Sequence, residues 1–235
     1  REVVCQVNVE GSVRFGLAKF YRGGDPAGGW ISVPVDDYTP AQASAIDWFI
    51  DELEAESWTP LGETLYNVYR YFQSRDLPAL GKDGSTEFPE YNIKTNGYTT
   101  NSSWLVPPSP AQYSCQRNFV IVITDGEPTR DDFDNMNKTV FKNNLIGDYN
   151  PDNVDPEAGD EVSGSDERAW YLDDIAKFMQ ENDCQRDLDG DQRIDVYTVG
   201  FTTKDDANAI LQKTADVGNG LFFQSNNAEE LTTAI

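Results

Sequence analysis

The chain contains no histidine among its 235 residues. That excludes Ser-His-Asp and Cys-His catalysis and most zinc sites. Basic residues are scarce: 18 Lys and Arg face 41 Asp and Glu, for a formal net charge of -23. Such a polyanion repels nucleic acid and anionic membrane, so neither is an expected partner. Cysteine is sparse too. Cys5, Cys115 and Cys184 show no Cys-x-x-Cys spacing, which argues against a structural zinc. One disulfide with a leftover thiol fits an exported chain, and three free thiols are the alternative. No apolar run approaches the length of a membrane span, so a membrane-spanning chain is not expected. Aromatic residues make up 12%, too many for a disordered acidic tail. The length suffices for one large domain with a full core or for two small ones. Excess carboxylate suits an extracellular protein that holds divalent cations.

Within these bounds, the most informative stretch is residues 118–126, Asn-Phe-Val-Ile-Val-Ile-Thr-Asp-Gly. Phe119 to Thr124 are apolar or β-branched without a break, the pattern of a strand covered on both faces at the centre of a parallel sheet. The run stops at Asp125-Gly126. In open α/β sheets ligands bind at the carboxyl ends of strands, which puts Asp125 where a ligand or metal would sit. An ordinary turn aspartate before glycine is the alternative.

The rest of the chain alternates strands and helices. Residues 12–20 alternate apolar and polar, and with 30–35 they predict an antiparallel hairpin. Thr39-Pro40 opens a helix, with Thr as N-cap and Pro at the first helical position. Thr59-Pro60 opens another, whose Leu65, Val68, Tyr69 and Phe72 form a buried stripe. A helix is expected over 166–182, a strand over 196–201, a helix over 207–215, a short strand over 220–224 and the start of a last helix at 228–235. Residues 76–114 and 128–165 read as irregular insertions. The predicted fold class is α/β: a mostly parallel sheet with right-handed crossovers and an antiparallel edge hairpin.

Two constellations could carry chemistry. Thr59 enters a helix and Asp125 follows a strand, so both can reach one rim of the sheet. A hydroxyl and a carboxylate are hard oxygen donors suited to Mg²⁺ or Ca²⁺. An N-cap threonine and a turn aspartate would read the same way. The second constellation is Asp187-Leu-Asp189-Gly-Asp191-Gln-Arg193-Ile-Asp195. Side-chain oxygens recur at loop positions 1, 3, 5 and 9, and the Arg193 carbonyl could fill position 7. Alternate residues of a tight loop can surround one Ca²⁺, which accepts six to eight oxygens. The loop departs from an EF-hand, since Gly190 stands at position 4 and no Glu at position 12. Lying at the edge opposite Asp125, it reads as a structural staple. A solvated acidic loop is the alternative.

These residues resemble a von Willebrand factor A domain. Thr59 in Trp-Thr-Pro-Leu-Gly-Glu-Thr-Leu and Asp125 in Ile-Thr-Asp-Gly-Glu-Pro match two elements of that family's metal-ion-dependent adhesion site. A closer likeness follows from five blocks in order: Val13-Arg-Phe-Gly-Leu, Thr59-Pro-Leu-Gly-Glu-Thr-Leu-Tyr, Cys115-Gln-Arg-Asn-Phe-Val-Ile-Val-Ile-Thr-Asp-Gly, Tyr171-Leu-Asp-Asp-Ile-Ala and Tyr197-Thr-Val-Gly-Phe. Together they resemble the A domain of the type IV pilus tip adhesins, the PilY/PilC family, over most of residues 12–225. The resemblance implies a doubly wound, Rossmann-like sheet forming a single domain over 1–235. It implies an extracellular protein at the pilus tip or bacterial surface, carried by minor pilins and binding a host-cell or surface ligand. Its work would be adhesion, surface sensing and pilus assembly.

The chain departs from the family in two respects. The family's Asp-x-Ser-x-Ser loop is absent, and Asp83-Gly-Ser-Thr-Glu is the nearest match. The family's first strand and most of its first helix are missing, and residues 1–10 look like the tail of that helix. The resemblance also implies that Cys115 and Cys184 precede neighbouring strands, which makes them the preferred disulfide pair and leaves Cys5 over. The expected function is a non-enzymatic adhesion module. A structural or mechanosensing A domain without a working metal rim is the alternative, and a carboxylate-and-metal hydrolase the remote one, since no acidic pair has a spacing that suggests acid and base work.

Overall fold

A computed structural model of the protein describes residues 13–20, 29–54, 59–73, 94–95, 98–99, 109–128, 172–227 and 230. Cys5, the expected helix tail at 1–10, Asp83, and most of both insertions and of the last helix lie outside the described residues.

The chain opens with the expected hairpin. Strand β1 (Arg14–Phe20) pairs antiparallel with β2 (Gly29–Asp37), from Arg14 opposite Asp37 to Phe20 opposite Gly29. Helix α1 (Pro40–Asp51) starts as its sequence predicts: the Thr39 side chain accepts a hydrogen bond from the Gln42 amide at 3.2 Å, and Pro40 occupies the first turn. α1 lays Ala45, Ile46 and Phe49 against Val33 of β2, forming a small core of its own.

Helix α2 (Leu61–Gln73) follows Thr59-Pro60. It is covered nearly all round, with Leu65, Tyr66, Tyr69 and Phe72 in the main core and Glu63, Asn67 and Arg70 buried beside them. A minimal antiparallel pair, β3 (Lys94–Thr95) with β4 (Tyr98–Thr99), lies within the first insertion.

Strands β5 (Asn118–Thr124), β6 (Ile194–Phe201) and β7 (Asn219–Ser225) form a parallel sheet in the order β5-β6-β7. Helix α3 (Leu172–Glu181) leads into β6, and α4 (Asp205–Val217) connects β6 to β7. Leu172, Ile175, Ala176 and Met179 of α3, with Ile210 and Leu211 of α4, cover one face of this sheet and enclose Ile194 and Val196. β7 crowds β6 closely: a Cβ on Gly220 would stand 2.1 Å from the Val196 carbonyl oxygen, so only glycine fits that irregular step in the ladder. Tyr69 of α2 meets Phe178 of α3 edge to face, with ring centres 5.2 Å apart.

The architecture is therefore α/β, with a three-stranded parallel sheet and two separate two-stranded antiparallel sheets, the hairpin β1-β2 and the minimal pair β3-β4, among the described residues. Two expectations need correcting. Among the described residues β5 is an edge strand and not the middle one, because β6 is its one partner there. Nor is it covered on both faces. Val120 and Val122 face the core, whereas Phe119, Ile121 and Ile123 are 45%, 45% and 51% exposed. An unbroken apolar run reads the same whether one face or both are covered, so sequence could not separate the cases.

Arg14 joins the two sheets at one end. Its guanidinium donates to the Pro110 carbonyl and, at 2.9 Å, to Gln116 Oε1, just before β5. At the same end Ser109 donates to the Phe72 carbonyl in the last turn of α2. Among the described residues no helix is long and apolar enough to cross a membrane.

Candidate functional site

The carboxyl-end rim is built from β5 and the entry to α2. β5 ends in a tight turn: the Gly126 amide donates to Thr124 Oγ1 at 3.2 Å, and that hydroxyl donates on to the Gly126 carbonyl at 3.1 Å. The turn leaves Asp125 exposed. Thr59 precedes the first turn of α2, where the Leu61 amide donates to its carbonyl at 2.9 Å. Because the last turn of α2 lies against Ser109, before the start of β5, the first turn lies at the other end. Thr59 and Asp125 thus belong to the same end of the molecule, with hard oxygens turned toward solvent at Asp125.

The acidic loop lies at the opposite end, between α3 and β6. Its neck is closed by Asp183, whose Oδ1 accepts from the Gln185 amide at 2.9 Å and the Gln192 amide at 3.1 Å. The Cys184 amide donates to the Gln192 carbonyl at 2.8 Å, and Gly190 turns the tip with a φ of 81°. The sequence-predicted ligands then separate into two groups. Asp187, Asp189 and Asp191 lie on the exposed loop. Asp191 pairs with Arg193 at 3.2 Å, an exposed contact of small energetic weight. Asp195 belongs to β6 instead: its carboxylate accepts from Asn219 at 2.9 Å and pairs with Arg117 at 3.4 Å. The Arg193 carbonyl accepts from Asn118 Nδ2 at 3.3 Å. Among the described residues no three acidic or thiol side chains are gathered to hold a metal by themselves.

The residues that sequence reasoning passed over are amides. Gln192 is 1% exposed and donates from Nε2 to the Asp189 carbonyl at 3.0 Å and the Ser114 carbonyl at 3.4 Å. Gln116 donates to Asn118 Oδ1 at 2.7 Å and to the Pro110 carbonyl at 2.8 Å, while accepting from Arg14. A chain of hydrogen bonds therefore runs from the acidic loop through β5 to β1. A lone glutamine in a polar segment carries no pattern that would have singled it out.

The expected Cys115–Cys184 bridge is not formed: both are free thiols, Cys115 exposed and Cys184 buried. Cys184 faces inward with Met179 and Ile194 in the main core, whereas Cys115 faces outward, so the two sulfurs lie in different environments. Burial, with the Asp183 charge nearby, pushes the Cys184 thiol up to about 12.

Comparison of this chain with protein-family models, with curated proteins and with solved structures finds no match.

Proposed function

We propose that this chain is the adhesion and ligand-binding A domain of a type IV pilus tip protein, acting in surface attachment and pilus assembly. The observation that carries this reading is the carboxyl-end rim: an exposed Asp125 after an apolar parallel strand, with Thr59 entering a helix at the same end. Five sequence blocks in the order found in the PilY/PilC adhesins support it. The partners would be minor pilins on one side and a host-cell or surface ligand on the other, outside the cell. Thr59 and Asp125 would contribute oxygens to a Mg²⁺ or Ca²⁺ that a ligand carboxylate completes. No catalytic step is part of this reading.

A structural or mechanosensing domain is the second reading. The specific observation in its favour is the hydrogen-bonded chain from the acidic loop through Asn118 and Gln116 to Arg14, which ties that loop to both sheets. In both readings the loop holds Ca²⁺ and stiffens the domain.

The deciding experiment measures attachment of the protein to host-cell monolayers and to a plain polymer surface, with and without chelator. Asp125→Ala and chelator are each expected to cut attachment about tenfold or more, the scale on which loss of a metal-site residue acts. Attachment indifferent to both would discard the metal rim in favour of the structural reading.

A further inference from the structure

Two residues other than glycine hold left-handed backbone among the described residues: Thr202, with a φ of 56°, and Asn219, with a φ of 58°. A side chain strains such backbone, a β-branched one most of all, and asparagine tolerates it best. Asn219 therefore fits its position, and its amide donates to Asp195 at 2.9 Å. Thr202 does not fit, and glycine would hold the same turn without strain.

The turn itself serves the fold. The Thr202 amide donates to the Ser225 carbonyl at 2.8 Å, which ties the end of β6 to the end of β7. The next residue, Thr203, is buried and folds back over β6: a Cβ on Gly200 would stand 2.3 Å from its Oγ1. That hydroxyl donates to Asn208 Oδ1 in α4. None of these contacts uses the Thr202 side chain. It is exposed, and among the described residues it has no hydrogen-bond partner. Strain that folding does not need, at a side chain open to solvent, argues for a role in binding.

Its place in the fold names the surface. Thr124 of β5 lies level with Gly200 of β6, so Asp125 lies level with Phe201, and Thr202 follows one residue beyond. Adjacent strands run about 4.8 Å apart, so Thr202 stands at the same carboxyl-end rim as Asp125. Lys204 is exposed two residues further on. In a chain of net charge -23, a hydroxyl and an ammonium on one turn are donors suited to an anionic group.

We infer that Thr202 is a ligand-contact residue of the rim, its Oγ1 donating a hydrogen bond to a carboxylate oxygen of the bound ligand. This rests on the proposed metal rim and adds to it a contact with the ligand instead of the metal. Lys204 supplies attractive charge beside it.

The test measures attachment of the purified full chain to host-cell monolayers in excess Mg²⁺, and follows thermal melting beside it. Thr202→Gly is expected to cut attachment about tenfold, the scale of one lost hydrogen bond to a charged group. Its melting temperature should stay level or rise, because the strain is released. Thr202→Ser keeps the hydroxyl and should restore most of the loss. If Thr202→Gly attaches like the unaltered chain while Asp125→Ala fails, the ligand contact is wrong and the rim stands. A lower melting temperature in Thr202→Gly would overturn it too, by showing that the side chain serves the fold. If Asp125→Ala and chelator both leave attachment whole, the rim reading falls and the contact falls with it.

Discussion

Cys184 and two tyrosines set the chain's behaviour in alkali. Burial, then the neighbouring Cys184 and Tyr66, raises Tyr69. Burial also raises Tyr71, whose hydroxyl accepts from the Val35 amide at 2.9 Å. The Cys184 thiol is pushed from an ordinary 9.0 up to about 12. With a folded pKa above the unfolded one, the unfolded chain gives up its proton first as pH rises. The contribution to stability is therefore complete below about pH 9 and drains away toward pH 12. Urea unfolding at about pH 8 and about pH 11 is expected to show a marked loss of stability, and Cys184→Ala a shallower one. An equal loss in both would mean that the thiol is not the group responsible.

Among the elements, α1 shows how local chemistry specifies a boundary. Thr39 and Pro40 lie next to each other in sequence, so the cap and the fixed first turn need no tertiary help. Thr39→Ala should lower stability by about 1 kcal/mol, measured by chemical denaturation, with Thr39→Ser restoring most of it. No effect would mean that packing of Phe49 and Ile46 on β2 alone holds the helix. The hairpin, α2, β6, α4 and β7 were legible for the same reason: period and punctuation are local signals. Other features were not. Glu63, Arg70, Asp173 and Asp174 are charged positions that tertiary packing buries. Asp195 fits a repeating loop of acids in sequence, yet β6 begins at Ile194 and carries it into the sheet. Thr59 and Asp125 were legible as a helix entry and a strand end, whereas the amide network required the loop and the start of β5 to meet.

At the scale of the whole molecule, Arg14 links the antiparallel sheet to the parallel one. It is half-buried, and its two acceptors, Pro110 and Gln116, are more than ninety positions away in sequence. Hydrogen bonds from a charged group contribute about 1.5–3 kcal/mol. Arg14→Ala is expected to lower global stability by about 2 kcal/mol and to speed hydrogen exchange in β1 and β2 more than in β6. Equal acceleration in all three strands would show that the sheets open as one unit and that Arg14 is no hinge between them. The uncovered side of β5 has a different consequence, one of colloid chemistry. Its seven residues, NFVIVIT, carry no charge and no proline, the signature of a segment that stacks with copies of itself. Phe119, Ile121, Ile123 and, on β7, Leu221 extend that tendency across a water-exposed surface. What holds two such molecules apart in solution is the net charge of -23. The acidity of this chain thus opposes self-association, and that opposition fails first where carboxylates are neutralised, in acid near pH 4.1 or in concentrated divalent salt.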